Sequence, residues 1–277
     1  MKVFDVHVKE EFPFLGKDGA DAVLTCYLPF NMTEMHRENQ KRPCMLICPG
    51  GGYQMVSQRE GEPIAMHFFA MGYNVFVLTY SVFPFRFPQQ ICEVAAAMEL
   101  IYKNAEQWNA DTSKIAIMGF SAGAHLAAHY ANAYHCPEVR ALFPESKPVA
   151  ATVLGYPVIS GVPGISHAGS FDALTGHEGI TEEEIDRFSC DRLVGEHTPP
   201  AFIWHTASDA AVPVQNSFLY AEALSRLKIP FELHIYPFGP HGLSTADAQS
   251  CDNLTAESAH ASDWLDAVKK WLPLILK

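Results

Sequence analysis

The chain has 277 residues, of which 48% are hydrophobic and 18% charged, a globular composition that excludes disordered and fibrous proteins. Its formal net charge of −12 at pH 7 argues against nucleic acid or an anionic membrane surface as a partner, because phosphate binding needs a basic face. Residues 1–10 are unlike a secretory signal, and no run of about 18 apolar residues is present that could span a membrane. We therefore expect a cytoplasmic protein with a small-molecule substrate and leave homo-oligomer formation open.

The seven cysteines lie in apolar or helical settings without CxxC pairs or Cys/His finger spacing. In a chain of this size, which does not need covalent cross-links, this pattern favours free, buried and reduced thiols. Spacing alone leaves a disulfide open.

Two strand-like segments, at residues 2–8 and 22–28, open the chain. Short apolar runs then alternate with amphipathic stretches, in which apolar residues such as Val94, Met98 and Ile101 share one helical face. In chain order, the pattern predicts strand 44–48, helix 64–71, strand 74–80, helix 88–108, strand 114–120, helix 122–134, strands 149–156 and 201–206, helix 217–227, strand 231–236 and helix 256–272.

Strands that alternate with helices predict an α/β fold, a mostly parallel sheet with helices on both faces. Right-handed crossovers place the carboxyl ends of parallel strands, and the loops that leave them, along one edge of the sheet. We therefore look for functional residues directly after the predicted strands.

The stretch of residues 159–200 interrupts this alternation. It is rich in Gly, Pro and Ser, then carries the acidic run 182–184 and a short helix that reaches Phe188. Its apolar residues are too few for a core of its own. We expect one domain over residues 1–277, with a cap-like insertion at about 159–200 that covers the sheet edge.

The strongest motif is Gly-Phe-Ser-Ala-Gly at residues 119–123, between a predicted strand and a predicted helix. A sharp strand-to-helix turn needs small residues on both sides of the serine and leaves its hydroxyl exposed above the sheet edge. The helix amino terminus behind it favours developing negative charge. The motif predicts Ser121 as a nucleophile, whereas a plain glycine-flanked turn is the alternative.

A second motif, Pro-Gly-Gly-Gly-Tyr at residues 49–53, directly follows another predicted strand. Consecutive glycines let backbone N–H groups approach an oxygen closely, as an oxyanion hole requires. We predict Gly51 and Gly52, together with Ala122 after the nucleophile, as the oxyanion donors. A plain turn or a phosphate-binding loop is the alternative, and no Walker lysine supports the latter.

An acidic residue and a histidine are expected to follow the nucleophile in that order. Asp209 lies on the exit loop of strand 201–206, whereas no predicted strand directly precedes its rivals, which are Asp172, Asp186, Asp191 and Asp247. Asp also favours ordinary turns, so a structural role is the alternative. His241 lies on the exit loop of strand 231–236. There it can accept the hydroxyl proton while Asp209 orients its ring.

Other histidines fit structural roles better. His125 and His129 have the i, i+4 spacing of a zinc pair, but the sequence between them lacks the glutamate of an HExxH motif, so we expect no metal. His205 and His234 lie inside predicted strands, where a buried or paired histidine is the simplest interpretation.

From about residue 23 to the end of the chain, this pattern resembles the α/β-hydrolase superfamily. More narrowly, it is similar to the small esterases labelled acetyl-xylan or carbohydrate esterase-like, near the hormone-sensitive-lipase relatives. The matching segments are CPGGGY at 48–53, REGEP at 59–63, LTYSV at 78–82, GFSAGAHLAA at 119–128, GYP at 155–157 and PHGL at 240–243. Pro49 stands where the lipase-like HGGG motif has histidine.

The resemblance implies a carboxylesterase for short, mainly acetyl, acyl esters, some of them on sugars, that needs no metal or other cofactor. Two alternatives remain open. One is an arylformamidase-type amide hydrolase on the same scaffold, which a comparison of acyl esters with N-formyl anilides would separate. The other is a non-catalytic binding protein with this fold, although such proteins usually lose a triad residue or the glycines.

Overall fold

A single sheet of eight strands runs through the part of the chain that the structure, a computed structural model, describes, residues 1–252 and 254–277. The order across the sheet is β1-β2-β4-β3-β5-β6-β7-β8. The strands are β1 Lys2–His7, β2 Val23–Leu28, β3 Arg42–Cys48, β4 Asn74–Thr79, β5 Ala110–Phe120, β6 Ala151–Gly155, β7 Ala201–Thr206 and β8 Phe231–Tyr236.

The six strands from β4 to β8 across the sheet are parallel, whereas β1 and β2 are antiparallel to their neighbours. The central strands are buried on both faces, which explains why they read as continuous apolar runs without alternation. The prediction of a mostly parallel sheet is confirmed. The loops that follow β3, β5, β7 and β8 therefore open at the same edge.

Helices cover both faces of the sheet, as predicted. Ile91, Leu126 and Leu224 are buried in the core on one face, whereas Phe68 and Trp264 are buried in the core on the other. The helices are α1 Val8–Glu11, α2 Glu62–Ala70, α3 Gln89–Lys103, α4 Ala122–Ala133, α5 Pro137–Leu142, α6 Ala168–Thr175, α7 Glu182–Phe188, α8 Gln215–Arg226, α9 Ala256–Ala259 and α10 Asp263–Ile275.

Some boundaries differ from the prediction. The helix expected at 88–108 ends at Lys103, and residues 104–109 form turns, the last of them at Asn109 with a positive φ of 51°. The helix expected at 256–272 is divided into α9, a short 3₁₀ turn and α10. Helix α10 continues past the predicted end, since both Leu272 and Leu276 are buried against the sheet.

The segment of residues 159–200 contains α6 and α7. Helix α7 begins with a capping box in which Thr181 and Glu184 bind each other's backbone N–H groups. Helix α6 was not predicted, because its sequence is short and rich in small residues. It forms because Phe171 and Leu174 are buried in the same core as α4, and Phe188 of α7 joins them. The seven cysteines are free, and five of them are buried.

Candidate active site

Ser121 lies at the sharp turn between β5 and α4, with φ 53° and ψ −122°. A positive φ costs a non-glycine residue about 1–3 kcal/mol and persists only where the surroundings enforce it. Here the surroundings are tight: a Cβ on Gly119 would collide with the backbone of Gly123, and one on Gly123 would collide with the carbonyl of Cys48. The two glycines of the motif therefore let the turn close against the loop that follows β3.

His241, on the loop after β8, contacts this serine. Its Nε2 lies 2.8 Å from Ser121 Oγ, and its Nδ1 lies 2.6 Å from Asp209 Oδ2. Because Nδ1 faces a carboxylate it carries the ring proton, so Nε2 is free to accept the serine proton. The ring of Tyr156 packs edge-on against the imidazole at 5.0 Å between centroids. The structure thus brings the three residues predicted as a triad into one hydrogen-bonded line.

Asp209 is held from several directions. Its Oδ1 accepts hydrogen bonds of 2.9 Å from the backbone N–H groups of both Ala211 and Val212. Burial opposes ionisation of the carboxyl, but the hydrogen bonds from His205 and His241 outweigh it, so the pKa of Asp209 is lowered below its ordinary value. Asp209 is therefore an anion throughout the neutral range. In that state it can fix and stabilise an imidazolium.

His205 is a second histidine on this carboxylate. It is fully buried in β7, and its Nε2 lies 3.2 Å from Asp209 Oδ2 and 3.1 Å from the carbonyl oxygen of Val212. Both partners are acceptors, so Nε2 carries the proton, and Nδ1 then accepts from the Ser217 hydroxyl at 2.8 Å. The sequence placed His205 inside a strand but gave no sign of this role. Its four-residue distance from Asp209 is the one signal that could have shown it.

The glycines after β3 lie beside Ser121. Gly51 and Gly52 have positive φ values of 126° and 65°, which glycine adopts without strain. Among residues 1–252 and 254–277, no acceptor binds the N–H group of either glycine. Ala122 is the first residue of α4, where backbone N–H groups have no intrahelical partner. All three predicted oxyanion donors are thus available to a ligand next to the serine.

Glu60 fixes this glycine loop from behind. It is only 2% exposed, and its two carboxylate oxygens accept hydrogen bonds from Gly50 N–H at 2.7 Å and from the Tyr156 hydroxyl at 2.6 Å. Tyr156 in turn accepts from the backbone N–H of Ser244, three residues after His241. The chain of contacts therefore joins the glycine loop to the histidine loop. The sequence did not predict this role for Glu60 or Tyr156.

His125, on α4, supports the same loop. Its Nδ1 lies 2.8 Å from the hydroxyl of Tyr53, and its Nε2 lies 2.8 Å from the carbonyl oxygen of Phe188, the last residue of α7. Burial lowers the pKa of His125 to about 4, so the ring is neutral. His129 is also buried, and burial lowers its pKa well below the ordinary value. Both histidines occupy structural positions, as expected.

An open cleft of about 920 Å³ leads to Ser121 and His241. Polar side chains form part of its wall: Gln54, Gln58 and Arg59 are exposed, and His167, directly before α6, also lines it. Burial and the nearby His241 lower the pKa of His167, which favours its neutral form. The wall can therefore offer hydrogen bonds to a hydroxyl-rich ligand.

Within the described parts of the chain, no group of three or more His, Cys, Asp or Glu residues is arranged to hold a metal ion. None of the helices there is long and apolar enough to cross a membrane.

Comparison with known proteins identifies the family. The BD-FAE family matches residues 31–224. Endo-1,4-β-xylanase B of Butyrivibrio fibrisolvens is 40% identical over 80% of this chain and 35% of its own length. The acetylxylan esterase of Xylanibacter ruminicola is 31% identical over 84% of this chain and 46% of its own length. The crystal structure of an acetyl ester-xyloside bifunctional hydrolase from Caldicellulosiruptor lactoaceticus is 33% identical, with a TM-score of 0.79 over 92% of this chain and 88% of that one.

The chain spans less than half of the length of these two curated relatives, 35% and 46%. The match to the solved structure, by contrast, includes most of both chains. The family match covers well over half of this chain, and the solved hydrolase shares its fold with a TM-score of 0.79. The chain therefore belongs to the BD-FAE family and has the α/β-hydrolase fold of its esterase relatives.

Proposed function

We propose that this chain is a serine carboxylesterase that cleaves short acyl esters, above all acetyl esters of sugars. One observation carries the proposal: Ser121, His241 and Asp209 form a continuous line of hydrogen bonds of 2.8 and 2.6 Å beside the amides of Gly51 and Gly52, to which no acceptor in the described parts of the chain binds. This arrangement is what acyl transfer through a covalent intermediate requires.

In the proposed reaction, Ser121 Oγ attacks the ester carbonyl while His241 Nε2 takes the hydroxyl proton. The resulting oxyanion accepts hydrogen bonds from the glycine amides and from Ala122. His241 then protonates the leaving alcohol, which departs as the acyl-enzyme forms. A water molecule, deprotonated by the same imidazole, attacks the acyl group and releases the acid and Ser121. An oxyanion donor of this kind is typically worth about 3–4 kcal/mol in the transition state.

The sugar acetate assignment is supported by two facts. Relatives of this chain are named as an acetylxylan esterase and an acetyl ester-xyloside bifunctional hydrolase. In addition, the cleft beside Ser121 has a wall of polar side chains that suit hydroxyl groups better than a long acyl tail.

The decisive experiment is a series of p-nitrophenyl esters from acetate to decanoate, run beside acetylated xylo-oligosaccharides and N-formyl anilides. We expect the highest kcat/KM for acetate, release of acetate from the oligosaccharides, and no turnover in the Ser121→Ala variant. Faster cleavage of the anilides would favour an arylformamidase-type amide hydrolase. No turnover, together with no labelling of Ser121 by a fluorophosphonate, would favour a binding protein.

A further inference from the structure

Arg59 is a cation without an ion pair on the wall of the active-site cleft. Its side chain is exposed, and none of the ion pairs among residues 1–252 and 254–277 includes it. The chain has 31 acidic and only 19 Lys and Arg residues, so acidic partners are not scarce. The adjacent carboxylate of Glu60 is directed inward, where Gly50 and Tyr156 occupy both of its oxygens.

The position of Arg59 identifies the part of the substrate that it faces. Its guanidinium lies against Gly242, where a Cβ would collide with Nη2. Gly242 directly follows His241, whose Nε2 protonates the leaving alcohol in the proposed reaction. The leaving alcohol must therefore lie next to Nε2, in the cleft that His241, Gly242 and Arg59 line together.

We propose that Arg59 binds a carboxylate on the alcohol part of the ester, so that acetyl esters of acidic sugars are preferred over those of neutral sugars. This inference rests on the proposed function. A guanidinium is always charged and presents a planar set of donors that matches a carboxylate with two parallel hydrogen bonds. Gln58 and His167 lie on the same wall and are neutral. They can form hydrogen bonds with sugar hydroxyls, while the carboxylate of the sugar binds Arg59.

A matched pair of substrates tests this assignment. The substrates are monoacetylated methyl glucopyranoside and monoacetylated methyl glucopyranosiduronic acid. They have the same ring, but the first carries a CH₂OH group where the second carries a carboxylate. At low ionic strength we expect the wild-type kcat/KM to be higher for the acid by about five-fold, the effect of one partly exposed charge pair. The preference should decrease in 0.5 M NaCl, because the Debye length there is only about 4 Å and exposed charges farther apart than that are largely screened.

Two substitutions connect the preference to Arg59. Arg59→Gln should bring the acid-to-neutral ratio of kcat/KM close to 1, whereas Arg59→Lys should keep part of it. Arg37→Gln is the matched control: Arg37 is an exposed arginine near the start of β3, at the opposite edge of the sheet, and its loss should leave the ratio unchanged.

Each outcome decides between the two proposals. A wild-type ratio at or below 1, or the same ratio in wild type and Arg59→Gln, would overturn the carboxylate site while leaving the esterase intact. Failure of the wild-type chain to cleave either sugar acetate would instead overturn the proposed function, and the carboxylate site with it.

Discussion

Beside Ser121, the glycine loop at residues 49–53 is fixed by buried groups, whereas the cleft wall at Gln58 and Arg59 is made of exposed side chains. Glu60 and His125 hold the loop through hydrogen bonds. Both carboxylate oxygens of Glu60 and both ring nitrogens of His125 have a partner. Gln58 and Arg59, by contrast, make no side-chain hydrogen bond to the described residues. The difference indicates that the features common to all ester substrates are preorganised, while those that distinguish one alcohol from another are left to adaptable surface residues.

The largest effect should come from the triad itself. We expect Asp209→Asn to lower kcat by about 10,000-fold, because an amide no longer fixes the His241 tautomer or stabilises the imidazolium. Steady-state hydrolysis of p-nitrophenyl acetate measures it. Asp186→Asn is the control, since Asp186 is an exposed residue of α7 whose partner is Arg192. Equal activities in the two variants would mean that Asp209 is not the triad acid.

The fixed side of the site can be loosened through Glu60. In Glu60→Gln one carboxylate oxygen becomes an NH₂ group, so either Gly50 N–H or the Tyr156 hydroxyl loses its acceptor. We expect kcat to fall by about 10–100-fold, somewhat less than the loss of an oxyanion donor. KM should change less than kcat, because the loop acts on the transition state.

Glu62→Gln provides the comparison for this variant. Glu62 is exposed in the first turn of α2, two residues from Glu60, and its neutralisation should leave kcat within about two-fold, as is usual for a surface site. If both variants lost activity equally, local charge and not the hydrogen bonds of Glu60 would explain the result.

A smaller effect is expected at His205, which acts through Asp209. His205→Phe removes a donor from the carboxylate, so the pKa of Asp209 should rise and its remaining bond to His241 should strengthen. A stronger bond to Nδ1 stabilises the imidazolium that forms during the proposed reaction. We expect kcat to fall by about ten-fold, within the range for positioning groups, and the acid limb of the kcat/KM profile to move to higher pH.

Rescue separates this positioning role from a merely structural one. His205→Gln keeps an N–H donor and should return the acid limb toward its wild-type position. His234→Phe, on the neighbouring strand β8, should not move the limb, because His234 binds Glu232 and not Asp209. An unshifted limb in His205→Phe would show that His205 does not tune the carboxylate.

The last prediction concerns the free energy of unfolding, which the buried His125 affects little at neutral pH and more as the pH is lowered. His125 has its pKa lowered by burial from 6.5 to about 4, so below pH 6.5 the unfolded chain binds a proton that the folded chain does not. The free energy of unfolding should therefore fall as the pH is lowered, by about 2 kcal/mol from this residue between pH 7 and pH 5. Denaturant titrations at the two pH values measure it.

In His125→Asn this part of the pH dependence should disappear, although the variant is less stable overall. His260→Asn, at an exposed position, should leave the wild-type pH dependence in place. If His125→Asn kept the pH dependence of the wild type, the loss of unfolding free energy at low pH would come from other groups, first of all His129.

How much of the site could be predicted depends on where each residue's partners lie. Ser121, Asp209 and His241 were found because each directly follows a strand, and in a parallel sheet those positions meet at one edge. Gly51 and Gly52 were found for the same reason. Glu60 and Tyr156 were missed because they are partners from distant segments, 96 residues apart. His205 was missed although Asp209 is only four residues away, because that distance within one strand and its exit loop predicts no contact.

The sequence by itself determined the α/β fold and the candidate site residues, since strand and helix periodicity and the glycine motifs are local patterns. Tertiary structure alone decided that α6 forms, because Phe171 and Leu174 find a buried surface on the main core. It also decided that Arg59 lies in the cleft beside Ser121 and His241, against Gly242. Contacts between distant segments follow from packing, and no local pattern encodes them.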